Sequence, residues 1–107
     1  MKHFSELEVW KNGLELVREV YAITRLLPWE ELYGITSQLR RASTSILSNI
    51  AEGFGRFTYP DKASKYTIAR GECSEVEAFL LMIVALSFVA EEKIKKAVHL
   101  VERERRL

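Results

Sequence analysis

The sequence predicts an all-α protein: an antiparallel up-down-up-down four-helix bundle with a short fourth helix, forming one domain over residues 1–107. Three observations support this prediction. Apolar residues recur at every third or fourth position, which is the period of an α-helix. No segment alternates apolar and polar residues for long enough to form a β-strand. The connections between the helical segments are short, which favours antiparallel neighbours in a bundle.

The first helix is predicted to open at Ser5, because Ser5 and Glu8 have the spacing of a capping box. It is predicted to end at Pro28, which cannot continue a helix. Its apolar residues form two adjacent stripes and so predict a wide apolar face. One stripe comprises Leu7, Trp10, Leu14, Val17, Tyr21 and Thr24, and the second comprises Leu16, Val20, Ile23 and Leu27.

The second helix is predicted to begin within residues 30–36. It should end near Gly53 and Gly55, where glycine would permit a left-handed cap. Its apolar stripe comprises Ile35, Leu39, Ala42, Ile46, Ile50 and Phe54.

The third helix is predicted to start at Thr58, because a capping threonine followed by Pro60 is a helix-start signal. It should extend for roughly 27 residues, or ~40 Å at the α-helical rise, to a break at residues 88–90. Its stripe comprises Ala69, Cys73, Val76, Leu80, Ile83 and Ser87, broadened by Phe79, Met82 and Leu86. The last helix, carrying Ile94, Ala97, Val98 and Val101, is much shorter. We therefore expect an uncovered apolar face on the third helix, and self-association through it.

The formal net charge is only +1, but the charges are unevenly distributed. Residues 36–71 and 93–107 each carry a net charge of +4, whereas residues 72–92 carry −5. Such blocks can steer a partner although the total charge cannot. The one cysteine, Cys73, allows no internal disulfide, which is typical of a reducing compartment. Because the N-terminus does not resemble a signal peptide and no apolar run is long enough for a membrane span, we expect a cytoplasmic protein.

A polar stripe runs along the second helix beside its apolar stripe, and comprises Gln38, Arg41, Ser45, Asn49 and Glu52. If the second and third helices form a hairpin that turns near residues 57–58, the opposing positions can be predicted. Arg41 would then face Glu75 and neighbour Glu72, Ser45 would face Gly71 in a close backbone approach, and Glu52 would face Lys65. The preferred interpretation is structural, with Arg41 and Glu75 fixing the helix register. A ligand or nucleic-acid site is the alternative.

The basic residues are candidates for phosphate contacts, which add sequence-independent, salt-sensitive affinity. The candidates are Arg40, Arg56, Lys62 and Lys65, together with the C-terminal arginines Arg103, Arg105 and Arg106. The alternative is ordinary solvated surface charge, which a sequence pI near 7.9 favours over a dedicated nucleic-acid domain.

The histidines argue against a metal or catalytic site. His3 lies near the N-terminus and His99 has Lys96 three residues before it, so neither belongs to the Glu-x-x-His motif of a di-iron bundle. Cys73 lies on an apolar stripe without a histidine at an informative spacing, as expected for a buried small residue. We expect no cofactor, no metal and no enzymatic activity. The alternative, a metal-using or hydrolytic enzyme built in the bundle interior, would require convergent carboxylates with histidine, which the sequence lacks.

The most specific segment is QLRRASTSILSNIAEGFGR, residues 38–56. It is accompanied by residues 9–11, Tyr21 and residues 28–34 before it, and by Gly71 and Glu75 after it. Over nearly the whole chain this pattern resembles the four helix bundle protein family, which is encoded in intervening sequences of bacterial large-subunit ribosomal RNA genes.

The resemblance implies an up-down-up-down bundle, assembly into ring-like homopentamers and no known enzymatic activity. A related branch supplies basic pentameric accessory proteins of diversity-generating retroelements, which bind the reverse transcriptase and nucleic acid. This chain departs from the family pattern at Gly13, where alanine is usual, and at Cys73, where serine is usual.

The leading hypothesis is a non-enzymatic homo-oligomeric scaffold, expected to be a pentamer. It would bind RNA, or a protein that handles RNA, through Arg40, Arg56, Lys62 and Lys65. The alternative is a structural bundle that acts only through a protein partner. A structural component of the ribosome is disfavoured, because such proteins carry a large basic excess to neutralise phosphates.

Overall fold

The computed structural model describes residues 2–107, which form four α-helices and no β-strand. The helices are α1 (Glu8–Thr24), α2 (Ser37–Phe54), α3 (Tyr59–Ala85) and α4 (Lys95–Glu104). Three 3₁₀ turns at Phe4–Glu6, Trp29–Glu31 and Glu91–Ile94 and one π turn at Leu32–Thr36 lie between or before them. The predicted all-α bundle with a short fourth helix is confirmed, since α3 has 27 residues and α4 has 10.

Contacts between the helices show that neighbours run in opposite directions. Arg41 near the start of α2 pairs with Glu75 in α3, whereas Glu52 near the end of α2 pairs with Lys65. The same reversed order relates α4 to both α1 and α3. The contacts that show it are Asn12–Glu104 and Glu19–Lys96 for α1, and Glu77–Arg105 and Arg70–Leu107 for α3.

The core of α1 is formed by the second of the two predicted stripes. Leu16, Val20, Ile23 and Leu27 are buried. In the first stripe only Thr24 is buried, and the residues from Leu7 to Tyr21 are half-buried. The reason is the position of α4, which contacts α1 through Asn12 and Glu19 on the side opposite the first stripe. The first stripe therefore remains as a partly open apolar surface.

The two ends of the α2–α3 turn differ from each other in how they are capped. The predicted start of α3 is confirmed, because the Thr58 hydroxyl oxygen accepts a hydrogen bond from the Asp61 N–H at 3.3 Å. The predicted left-handed glycine cap of α2 is wrong, since Gly55 has right-handed angles (φ −81, ψ −6). Instead the Lys62 ammonium donates to the carbonyl oxygens of Gly53 and Phe54 at 3.2 and 2.9 Å. These bonds satisfy carbonyls that a helix end leaves without partners.

The molecule is elongated, with extents of 44 × 22 × 17 Å. Arg70 in α3 donates to the carbonyl oxygen of Leu107, so the part of α3 before Arg70 extends beyond α4. This part of α3 pairs with the end of α2, through Lys65 with Glu52 and Tyr66 against Gly53. We call residues 52–66, which comprise the end of α2, the turn and the start of α3, the hairpin end. No helix within residues 2–107 is long and apolar enough to cross a membrane.

Candidate nucleic-acid interface

The four basic residues predicted to bind nucleic acid lie on two separate surfaces. Arg56, Lys62 and Lys65 lie in the hairpin end. Arg40 lies in the first turn of α2, about 24 Å away from Arg56 along the helix axis at 1.5 Å per residue. A ligand bound at the hairpin end could therefore lie near Arg56, Lys62 and Lys65, but not near Arg40.

Two of the three cations of the hairpin end already have partners in the chain. Lys62 caps the carbonyl groups at the end of α2, and its ammonium lies 5.8 Å from the centroid of the Phe54 ring. The Lys65 ammonium lies 2.8 Å from a carboxylate oxygen of Glu52. This hydrogen-bonded cation holds the pKa of Glu52 below its usual range. Arg56 is exposed and forms no ion pair within residues 2–107.

Two aromatic residues that follow Arg56 closely in the sequence of the turn have exposed rings. Phe57 is fully exposed and Tyr59 is 88% exposed. Aromatic rings beside a free cation form the kind of surface that stacks bases and contacts phosphates in single-stranded nucleic acid. The sequence analysis did not single out these rings. Their position in a turn between two polar helix ends is the signal that could have indicated their exposure.

The predicted ion pairs of the polar stripe are present. Arg41 Nη2 lies 2.6 Å from Oε1 of Glu75, and Nη1 lies 3.5 Å from Oε2 of Glu72. The hydrogen bond to Glu75 raises the pKa of Arg41. Burial, together with the neighbouring Glu75, raises the pKa of Glu72. Arg41 thus offsets the repulsion between these two neighbouring carboxyl groups.

The remaining stripe residues bond within α2. Gln38 Oε1 accepts a 3.4 Å hydrogen bond from Arg41 Nε, and Asn49 donates to the Ser45 carbonyl oxygen at 2.8 Å. The predicted close approach at Gly71 is wrong, because a β-carbon there would meet nothing within 4 Å. The close approach lies at Gly53 instead, where a β-carbon would fall 2.5 Å from a ring carbon of Tyr66. Gly71 lies on the exposed side of α3, which the hairpin register alone does not reveal.

Arg40 forms the wall of a shallow groove on the opposite part of the bundle. Its Nε donates to the Thr24 hydroxyl at 2.8 Å, and its guanidinium lies 4.6 Å from the centroid of the Tyr21 ring. The groove has a volume of about 450 Å³. We call it the arginine groove; it is lined by Tyr21, Leu32, Tyr33, Thr36, Ser37, Arg40, Arg41 and Thr44.

The family model described as 23S rRNA-intervening sequence protein matches residues 5–107. The chain belongs to this family. The resemblance noted from the sequence is therefore confirmed, and the family description names no enzymatic activity.

A solved structure from Bacteroides thetaiotaomicron, described as a protein with unknown function from the S23 ribosomal protein family, has the same fold with a TM-score of 0.83. The two sequences are 22% identical, and the match covers 92% of this chain and 88% of the other. The comparison with this S23 protein bears on the fold alone. No curated protein matches the chain.

The sequence analysis missed a buried carboxyl group on α4, that of Glu104. Glu104 has no exposed surface. Its Oε1 accepts a 2.9 Å hydrogen bond from Asn12, whereas its Oε2 has no hydrogen-bond partner. Burial raises the pKa of Glu104 to about 7. The signal was available, because Glu104 follows Leu100 and Val101 at helical spacing and so lies on the apolar face of α4.

Within residues 2–107, neither Cys73 nor any group of potential metal ligands has the geometry that a nucleophile or a metal site would require. Cys73 is fully buried, and burial raises the pKa of its thiol to about 12, so the reactive thiolate is scarce. Within residues 2–107, no three histidine, cysteine, aspartate or glutamate side chains are arranged to hold a metal ion.

Proposed function

We propose that this protein is a non-enzymatic, homo-oligomeric cytoplasmic scaffold that binds single-stranded RNA through its hairpin end. The observation that carries the proposal is the combination of an unpaired guanidinium, Arg56, with the exposed rings of Phe57 and Tyr59. An arginine can contact the phosphates of RNA whatever its base sequence, and aromatic rings can stack on unpaired bases. Membership of the 23S rRNA-intervening sequence protein family supports an RNA partner without naming one.

The basic residues of the proposed interface have different roles. Arg56 makes the phosphate contact. Lys62 and Lys65 hold the hairpin end in shape through their bonds to Gly53, Phe54 and Glu52, and add long-range attraction. Arg40 adds a positive charge for phosphate contacts on a separate surface.

Two unlike apolar surfaces support the proposed self-association. One is the half-buried stripe of α1, beside its contact with α2. The other lies on α3 beside α2, where Ile68, Met82 and Leu86 are 43%, 44% and 54% exposed. When one surface of a subunit packs on a different surface of the next, the arrangement can close into a ring. The subunit number of five rests on the family resemblance.

A protein partner without nucleic acid is the second candidate function. The ion pair of Lys65 with Glu52 favours it, because this pair reduces the free positive charge at the hairpin end. In that case the exposed rings of the hairpin end would bury themselves in a protein surface.

Fluorescence anisotropy with a labelled mixed-sequence single-stranded RNA tests the proposal, with native mass spectrometry to count subunits. Arg56→Gln should reduce the slope of log affinity against log salt by about 0.7, the value for one single-strand phosphate. Phe57→Ala should weaken binding by about 1–3 kcal/mol. Lys95→Gln removes another exposed charge at the start of α4 and should change neither quantity. Equal RNA binding by all variants, or none by the wild type, would contradict the proposal and leave the protein-partner function.

A further inference from the structure

We propose that the arginine groove binds a phosphate monoester that carries an aromatic base. Two sources share this chemistry: a free nucleoside monophosphate and the 5′-phosphorylated end of an RNA strand. The site lies at the opposite end of α2 from the hairpin end, so the inference goes beyond the proposed function.

Arg40 is held in position before any ligand arrives. The hydrogen bond from its Nε to Thr24 and the stacking of its guanidinium on Tyr21 fix the plane of the guanidinium group. Its two terminal nitrogens form no hydrogen bond within residues 2–107 and remain available. A planar fork of this kind matches the oxygens of a phosphate, and its fixed position reduces the entropy lost on binding.

Within residues 2–107 no carboxylate forms an ion pair with Arg40. The neighbouring Arg41 differs, because Glu72 and Glu75 both contact its guanidinium. A second depression shares Tyr21 with the groove and is lined also by Val17, Arg18 and Arg25. Arg18 is paired with Glu15, whereas Arg25 is exposed without an ion pair within residues 2–107. Arg40 thus provides an uncompensated positive charge inside the groove, and Arg25 provides a second one in the adjoining depression.

The lining of the groove also offers a face for a base. Tyr33 lines the groove and is 92% exposed, so its ring is free to stack. The hydroxyls of Ser37 and Thr44 donate to backbone carbonyl groups at 3.1 Å. Their oxygens therefore remain as acceptors for a ribose hydroxyl or a base amino group.

The size and composition of the groove fit binding without hydrolysis. Its volume of about 450 Å³ lies within the range of roughly 300–1,000 Å³ that small-molecule sites occupy. Its lining residues include no histidine, cysteine or carboxylate that could act as a general base or nucleophile.

Isothermal titration with adenosine 5′-monophosphate, adenosine and inorganic phosphate tests the site. Adenosine 5′-monophosphate should bind at one site per chain, at least tenfold more tightly than either fragment. Arg40→Gln should remove this preference for the monophosphate, and circular dichroism will show whether that variant still folds. Tyr33→Ala, at an exposed position, should weaken binding about tenfold without affecting the fold. Trp29→Ala removes a similarly exposed ring that lies outside both the groove lining and the hairpin end and should have no effect.

The source of the ligand is distinguished with RNA strands that differ only in the 5′ end. The variant Arg56→Gln with Phe57→Ala is used, so that the hairpin end contributes little. A tenfold preference for the 5′-phosphorylated over the 5′-hydroxyl strand, lost on adding Tyr33→Ala, would support a strand end as ligand. Binding of the mononucleotide without this preference would support the free nucleotide. If the wild type binds no mononucleotide and prefers neither strand, or if Tyr33→Ala and Trp29→Ala behave alike, the groove is not such a site.

Discussion

The side-chain carboxyl group of Glu104 in α4 occupies the space that a β-carbon at Gly13 of α1 would fill. A β-carbon there would also lie 2.7 Å from Cδ2 of Leu47. Gly13 is therefore required by the packing of α1 against α2 and α4, and not by a left-handed backbone, since no glycine has a positive φ. This contact explains why the chain lacks the alanine that the family resemblance leads one to expect at this position.

Replacing Gly13 with alanine should destabilise the protein, although alanine favours a helix over glycine by about 1 kcal/mol. The added methyl forces Glu104 and Leu47 to move, and overpacking of this kind costs about 1–3 kcal/mol. Urea unfolding of Gly13→Ala measures the net loss. In a double-mutant cycle with Glu104→Ala the Gly13→Ala change should cost at least about 1 kcal/mol less. Additive effects of the two changes would show that the carboxyl group is not the obstacle.

The buried carboxyl group should make the stability of the bundle depend on pH. The pKa of Glu104 is raised to about 7 in the folded protein from an ordinary value of 4.5. Below pH 4.5 the group is protonated in both states, so burial of a charge costs nothing. As the pH rises from 4.5 to 7 the unfolded chain releases this proton first, and the free energy of unfolding falls. The loss is on the order of 3 kcal/mol and is complete above about pH 7.

The contribution of Glu104 is isolated by comparing wild type with Glu104→Gln across that range. Glutamine has the same shape and stays neutral, so the variant should lack this loss and be the more stable form at pH 8. The other groups that face this region are Glu8, Cys73, Glu77, Arg103 and Arg105. They are present in both proteins and cancel in the difference. A difference that does not vary between pH 4.5 and 8 would contradict the raised pKa.

Local signals in the sequence were enough to predict most of the fold. Capping at Thr58 fixes the start of α3, and one assumed turn position correctly placed Arg41 against Glu75 and Glu52 against Lys65. The choice between the two apolar stripes of α1 could not be made in this way. Both stripes have helical spacing, and the position of α4 decides which one is buried.

The candidate sites were less predictable, because they depend on exposure and on contacts between distant residues. The sequence marks Arg40 and Arg56 as equivalent basic residues, but only the fold shows that Arg40 is fixed by Tyr21 while Arg56 is free. Phe57 and Tyr59 are residue types that are usually found in a core, but they lie outside it. Glu104 is a residue type that is usually found at the surface, but it is buried among apolar groups.

The polar stripe provides a test of its predicted structural role. Arg41→Gln should destabilise the protein by about 1 kcal/mol, because it leaves Glu72 and Glu75 facing each other without a cation. Lys65→Gln breaks a single pair and leaves one carboxylate, Glu52, that water can solvate, so it should cost less than Arg41→Gln. Both are measured by urea unfolding at low and high salt. Equal losses from the two changes would mean that the Arg41 network contributes no more than an ordinary surface ion pair.

The end of α3 offers a stabilising substitution. Ser87 has a left-handed backbone (φ 62), and the N–H groups of Ser87 and Phe88 donate to the carbonyl oxygens of Val84 and Ile83 at 2.9 Å. This is the hydrogen-bond pattern of a Schellman motif, in which glycine is preferred at the left-handed position. Ser87→Gly should therefore stabilise the protein by about 1 kcal/mol and raise its Tm by roughly 4 °C. Ser87→Ala keeps the β-carbon that strains this conformation and should give no increase. If alanine raised the Tm as much as glycine, the gain would come from loss of the hydroxyl group and not from relief of the backbone.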